Sequence, residues 1–413
     1  MSVKKKKYKF FIKLLKFPID FFFSLISLFI SFKSLVFLIN NSNFKKKKIF
    51  LQPEGGFGHT ILTCEVLNTL FEKDEWVLVF GYNPFRHNYL VKDIYKNNLL
   101  WLELTNNFNF RKVINFYFRD YIFFLLSLYF KYKKIEYYYY LNYISKIKVY
   151  PYSKYNKEDK LLYERASYKI ISQTYKPKNI SNDFNVRFKN LNFNTKSKRK
   201  CAIAYKKSKY NEINSINRSS DELESYKNSF FSIVDIGWDI YIYGDLPKEL
   251  PTWFDDIKKN IFFYSKGKKN ISEFNLCAGV IADCYIGPMS GALSWKYMFP
   301  KKPSLIIDAH PFGWAYFNSV IAYKIINKPY KNYKIEDILK KEKIYWYEKE
   351  PYNVRFTNFD EKEIIIRNFL LNINNLNNEI ISPEALKLPE DHPIRWSHSS
   401  LSKSWYNIQE SFI

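Results

Sequence analysis

Residues 280–308, VIADCYIGPMSGALSWKYMFPKKPSLIID, constrain this chain more than any other stretch. A strand-length apolar run at Val280–Ile286 stops at Gly287-Pro288, Ala292–Phe299 has helix-forming character, and a second apolar run follows at Ser304–Ile307. Strand–turn–helix–strand is the building unit of α/β folds. The turn holds Gly287, Pro288, Ser290, Gly291 and Ser294. Small residues there let a ligand approach the amides that open a helix, where four N–H groups lack partners and the dipole is positive. A phosphate suits such a place, and a turn that joins two buried elements and binds nothing is the competing reading.

The same alternation runs through the rest of the chain. Lys48–Leu51 is short and apolar, Pro53–Gly58 is a breaker, Thr60–Phe71 is helix-like and Glu75–Phe80 suits a strand. Between about 150 and 200 the chain turns polar, as a linker does. Strands are then expected at Cys201–Tyr205, Trp238–Tyr243 and Ile261–Tyr264, with helices at Asp221–Ile236 and Ser272–Ala282. The 413 residues therefore predict two α/β lobes that face a central cleft, with ligand loops at strand ends.

The formal charge of +25 is unevenly placed. Residues 1–48 hold twelve Lys and one acid, Asp20, so +11 sits there and +14 on the remainder. Lys, Asn, Ile, Tyr and Phe are enriched together, so part of the charge is codon bias. Residues 8–39 interleave Phe, Leu and Ile with Lys, which reads as membrane contact; their longest apolar run, Phe21–Phe32, is shorter than the ~20 residues a span needs. An interfacial helix, a span extended past Lys33 and a core helix all remain open. Tyr121–Tyr143, rich in Phe, Tyr and Lys, is either a second membrane surface or a buried helix. Four scattered cysteines and five histidines show neither disulfide nor metal spacing, so buried thiols and no dedicated metal are expected.

Four further groups carry candidate chemistry. Glu54-Gly55-Gly56-Phe57-Gly58-His59-Thr60 follows a strand and opens a helix, and its glycines allow close backbone approach. His59 can take a proton from an attacking hydroxyl near neutral pH, or merely cap its helix. Lys206 and Lys207 follow a strand end and Arg218 lies just beyond, cations suited to a diphosphate or to a solvated loop. Gly244-Asp245 ends another strand, where Asp can accept from sugar or base hydroxyls or hold a turn. Asp308–Trp314 closes the strand after the opening motif and can wall a pocket.

Together, Cys201–Lys207, Arg218-Ser219-Ser220-Asp221 with Tyr226, Gly237–Asp245, Ile286–Ser294 and Gly55–Thr60 resemble a family of bacterial glycosyltransferases linked with surface polysaccharides. Where that family has His-x-Arg, this chain reads Tyr205-Lys206-Lys207. The Ser-Gly turn is also similar, more distantly, to the heptosyltransferases. The resemblance implies a GT-B fold of two Rossmann-like lobes, no bound cofactor or metal, a nucleoside-diphosphate sugar as donor and a glycan or lipid-linked acceptor. It implies donor contacts at Lys206, Lys207, Arg218, Gly244, Asp245, Gly287, Pro288, Ser290, Gly291 and Ser294. An acceptor or phosphate loop falls at Gly55, Gly56, Gly58 and Thr60, with His59, then Glu54, as base. The expected divisions are a basic membrane-associated segment 1–46, an acceptor lobe 47–198, a donor lobe 199–360 and a helix and tail 361–413. The expected location is the cytoplasmic face of the inner membrane, peripheral or held by one N-terminal anchor, with no nucleic acid partner. The rival readings are another Rossmann-type transferase such as a methyltransferase, and a non-catalytic membrane-associated scaffold.

Overall fold

The computed structural model describes residues 47–52, 57–72, 74–80, 94–95, 98–101, 123–145, 157–174, 199–206, 220–244, 246–247, 249–263, 271–310, 312, 315–326, 334–341 and 354–412. The chain divides into two compact units. Among the described residues, the first takes 47–52, the described part of 66–101, and 123–167; the second takes 57–65 and everything from Tyr168 on. The expected membrane segment 1–46 lies outside the described residues. Among those described, no helix is long and apolar enough to cross a membrane.

The first unit is built on β1 (Lys48–Gln52), β2 (Trp76–Phe80), β3 (Leu99–Trp101) and β4 (Tyr137–Tyr139), all parallel, in the order β3-β2-β1-β4. Helix α1 (Phe57–Leu70) carries the chain from β1 to β2, as the breaker and helix pattern predict. A second helix, α2, runs over 123–132. Side chains alternate between faces of a strand, so Ile49, Leu51, Val77 and Val79 share one face and pack with Phe123, Leu126 and Phe130 of α2. Phe50 points the other way, into the rings of Tyr138, Tyr140 and Tyr143. Tyr121–Tyr143 is thus in part a core helix. Helices α3 (Tyr140–Ser145) and α4 (Lys157–Thr174) follow.

The second unit holds an eight-stranded sheet. Its strands are β5 (Arg199–Tyr205), β6 (Trp238–Gly244), β7 (Ile261–Phe263), β8 (Cys284–Gly287), β9 (Ser304–Ala309), β10 (Val320–Tyr323), then β13 (Ile380–Ile381) and β14 (Ser400–Ser402); β11 (Ile325–Ile326) and β12 (Val354–Arg355) form a separate antiparallel pair. The order is β13-β14-β10-β9-β8-β5-β6-β7, parallel except for β13. Strands β5, β8 and β9 are buried along most of their length, which explains their near-continuous apolar runs. Its helices include α5 (Lys227–Asp235), α6 (Ile271–Ile281), α7 (Trp295–Met298), α8 (Ile335–Lys341) and α9 (Phe359–Leu371). All four cysteines are buried and none forms a disulfide.

The sequence places limits at 198/199 and 360/361. By packing, Tyr168 already belongs to the second unit, and the stretch from 361 supplies two strands of its sheet.

Candidate functional site at the carboxyl edge of the second sheet

Counted from β5, the six strands β5 to β10 lie in the spatial order 3-2-1-4-5-6, the dinucleotide-binding arrangement whose crevice opens where strand order reverses. Here the reversal falls between β5 and β8. Their carboxyl ends are Tyr205-Lys206 and Gly287-Pro288, two segments that the sequence singles out. A Cβ on Gly287 would lie 2.8 Å from Ala204 Cβ and 2.9 Å from its carbonyl oxygen, so glycine lets β8 close onto β5. Gly244, paired with Tyr205, has φ +111, and a Cβ there would fall 2.1 Å from the Tyr205 carbonyl oxygen. Only glycine fits that corner.

After β8 the structure departs from the expected helix. Ala292–Phe299 reads as one helix, but the chain forms a 3-10 turn, Gly291–Leu293, and then the single turn α7. Ser290 N–H donates to Pro288 O (2.7 Å), Leu293 N–H to Ser290 O (3.0 Å) and Ser294 N–H to Gly291 O (3.2 Å). Ser294 Oγ also donates to Gly291 O, and Tyr316 OH to Ser290 O. Ser290 and Ser294 are buried. Three amides expected to face a phosphate are therefore satisfied within the turn, because the apolar Leu293, Trp295 and Met298 draw the segment into the core.

Beside this turn stands a polar cluster. Lys206 and Ser220 exchange bonds: Ser220 N–H donates to Lys206 O (2.9 Å) and Lys206 N–H to Ser220 Oγ (3.1 Å). The following residues lead to Lys362 of α9, whose buried ammonium donates to Asp221 Oδ2 (3.0 Å) and Ser225 Oγ (2.7 Å), lies over the Tyr226 ring and sits 3.7 Å from Asp308 Oδ2. Thr357 donates to Asp308 Oδ1 from both its N–H (2.7 Å) and its hydroxyl (3.0 Å). Burial raises the Asp308 carboxyl above the usual range against the pull of Lys362. Burial, then the two carboxylates, push the Tyr226 hydroxyl well up. Asp308 has φ +52, a left-handed backbone costly for a side-chain-bearing residue, next to a register shift between β9 and β10. One ammonium faces two carboxylates, so the charge of Lys362 is spent inside the cluster.

Next along, His310 is buried, and burial with the nearby Lys324 ammonium lowers its imidazole to about 3. It is neutral at physiological pH. Thr60 is buried in α1, and the backbone of Gly58 and His59 lies in the first turn of that helix. Glu54, Gly55, Gly56, Lys207, Arg218 and Asp245 lie outside the described residues. Among the described residues, no group of three or more His, Cys, Asp or Glu is placed to hold a metal ion.

Sequence reading missed Lys362 and Thr357. The signal was present: Asn358 and Glu361 form a capping box that starts α9, and Lys362 falls on the same face as Ile365, Ile366, Phe369 and Leu370. A lysine on an apolar face calls for a buried partner.

No family model matches the chain and no curated protein matches it. Among solved structures, E. coli heptosyltransferase WaaC with ADP-2-deoxy-2-fluoro heptose is similar over 67% of this chain and 92% of that one, at 9% identity and a TM-score of 0.36. A likeness of that size carries no argument. What bears on function is the strand order and the side chains at its carboxyl edge.

Proposed function

We propose that this chain is a glycosyltransferase that moves a sugar from a nucleoside-diphosphate sugar to a surface-polysaccharide or lipid-linked acceptor. The observation that carries the reading is the strand reversal between β5 and β8, at whose carboxyl ends Lys206 and the Gly287–Ser294 turn stand. In this reading the donor lies along that edge. Gly291 gives it close approach, and Gly244 and Asp245 line the nucleoside side. With three turn amides occupied, charge on the departing diphosphate is met chiefly by Lys206, Lys207 and Arg218, a fixed positive field that matters most as the leaving group forms. The Asp221–Lys362–Asp308 cluster ties Asp221, which follows Arg218-Ser219-Ser220 in sequence, to α9.

In the same reading His59, with Glu54 second, takes the acceptor proton, and Gly55, Gly56, Gly58 and Thr60 shape the acceptor or phosphate loop. The reaction proceeds without a metal or other cofactor. The basic, aromatic residues 1–46 hold the enzyme at the cytoplasmic face of the inner membrane, where a lipid-linked acceptor resides.

The test is a thermal-shift screen of the full chain against nucleoside diphosphates, nucleotide sugars and S-adenosylmethionine, followed by transfer assays with the binding donor. A ligand at 100 times its Kd adds about 2.7 kcal/mol to native stability, a rise of a few degrees in Tm. Stabilisation by a nucleoside diphosphate supports the proposal. Stabilisation by S-adenosylmethionine alone points to methyl transfer, and no shift with any of them favours a scaffold.

A further inference from the structure

Helix α2 has two apolar faces. Phe123, Leu126 and Phe130 are fully buried in the first unit's core, whereas Phe124, Leu128 and Tyr132, spaced i, i+4 and i+8 on the opposite side, are 41%, 47% and 80% exposed. Of the eight large apolar side chains exposed among the described residues, these three fall on one ten-residue helix. Its sequence, FFLLSLYFKY, has no charged residue before Lys131. An amphipathic surface helix turns polar groups outward; this one does not.

The charges at its end identify what covers it. Lys131, Lys133 and Lys134 are all exposed, with Glu136 the nearest acid in sequence, and Lys133 Nζ lies 5.4 Å from the centre of the Tyr132 ring. The Glu136 carboxylate accepts a bond from Tyr138 OH. A second copy presenting the same face offers no acidic partner: parallel helices would oppose lysines with lysines, and antiparallel ones would set each lysine cluster against the uncharged Phe123–Phe130 end. The N-terminal 48 residues, at +11, would also oppose lysines with lysines. An apolar stripe ending in an aromatic ring and a cluster of lysines matches an acidic bilayer, into which side chains enter by about 5–10 Å while the ammonium groups stay at the headgroups.

We infer that the outer face of α2 is a membrane-docking surface for anionic phospholipid, separate from residues 1–46 and independent of the transfer reaction proposed above. Three lysines near such a surface, at about 1 kcal/mol each, strengthen binding on the order of a hundredfold.

The experiment uses the full chain with Leu128→Cys, labelled with an environment-sensitive fluorophore. All four native thiols are buried, so the dye goes to position 128, and a melting curve checks the fold. Vesicles of phosphatidylcholine with phosphatidylglycerol should shift the emission to the blue, and pure phosphatidylcholine should not. Adding Lys131→Gln, Lys133→Gln and Lys134→Gln should raise the lipid concentration needed by about a hundredfold. An unchanged spectrum on acidic vesicles overturns the inference even if the protein sediments with them, since 1–46 alone would then be the anchor. So does an equal shift on neutral vesicles. A dye already blue-shifted without lipid also overturns it: dependence on protein concentration reveals a second copy, and independence reveals a segment of this chain. Loss of nucleotide binding would bear on the proposed enzyme and not on this surface.

Discussion

The Lys362 ammonium donates to the Asp221 carboxylate across 3.0 Å, joining α9 to the residues that lead into α5 although 141 residues separate the pair in sequence. Lys362→Met removes the one cation that, among the described residues, pairs with both Asp221 and Asp308, and leaves the buried Asp308 carboxyl without its ion-pair partner. Removing one partner of a buried pair costs about 3 kcal/mol. Urea denaturation should show that loss. Adding Asp308→Asn should recover part of it, and a strictly additive double mutant would mean that the two residues do not interact.

At the β5–β6 corner, Gly244→Ala must force a Cβ against the Tyr205 carbonyl from a backbone with φ +111. Because both strand backbone and left-handed conformation are affected, the expected loss is at least about 2 kcal/mol. A change within 0.5 kcal/mol would show that the corner relaxes at little cost.

Stability should rise with pH above neutrality. Burial lowers the Lys296 ammonium to about 7 and the Lys302 ammonium to about 8, against about 10.4 in an unfolded chain. Between those values the unfolded state binds more protons than the folded one, so raising the pH favours folding. Both groups donate to main-chain carbonyls, Lys296 to Lys302 and Lys302 to Val280 and Ala282. Denaturant midpoints from about pH 7 to 9.5 should increase, and Lys296→Met should flatten the rise between about 7 and 8, where Lys302 contributes least.

Gly291→Val should abolish the thermal shift given by the best nucleoside diphosphate, because a branched side chain would block approach to the turn after β8. The melting point without ligand should stay within a few degrees, since Gly291 is partly exposed. A folded Gly291→Val protein with the full shift would move the nucleotide to Gly55–Thr60.

His59→Ala should lower turnover by about 10²–10⁴-fold with donor affinity nearly unchanged, the signature of a lost general base. If His59 only caps α1, the same protein loses about 1 kcal/mol of stability and keeps its turnover per folded molecule. Steady-state rates and a melting curve on one preparation separate the two.

Strands were the most legible part of the sequence. Cys201–Tyr205 and Trp238–Tyr243 are short, apolar and bounded by Gly or polar residues, and each is a strand within a residue or two of its expected limits. The apolar run Val280–Ile286 becomes a strand only from Cys284, because Val280 and Ile281 finish helix α6. The helix after Ser290 was misread because helix-forming residues fill Ala292–Phe299, yet burial of Leu293, Trp295 and Met298 pulls the chain into a 3-10 turn. Propensity is local and that pull is tertiary. The capping box and apolar face of α9 mark Lys362 as a buried lysine, but its partners, Asp221 and Asp308, are 141 and 54 positions away, and only the fold brings them together. The four strands at 320–323, 380–381, 400–402 and 354–355 are too short to leave a period in the sequence.

The broad second sheet ends in very little. Among the described residues its outermost strands, β7 and β13, are three and two residues long, margins too short to give another chain a long row of amides and carbonyls to extend. Molecules of this protein crowded together, as any surface that gathers them would do, meet margins too brief to seed fibrillar stacking.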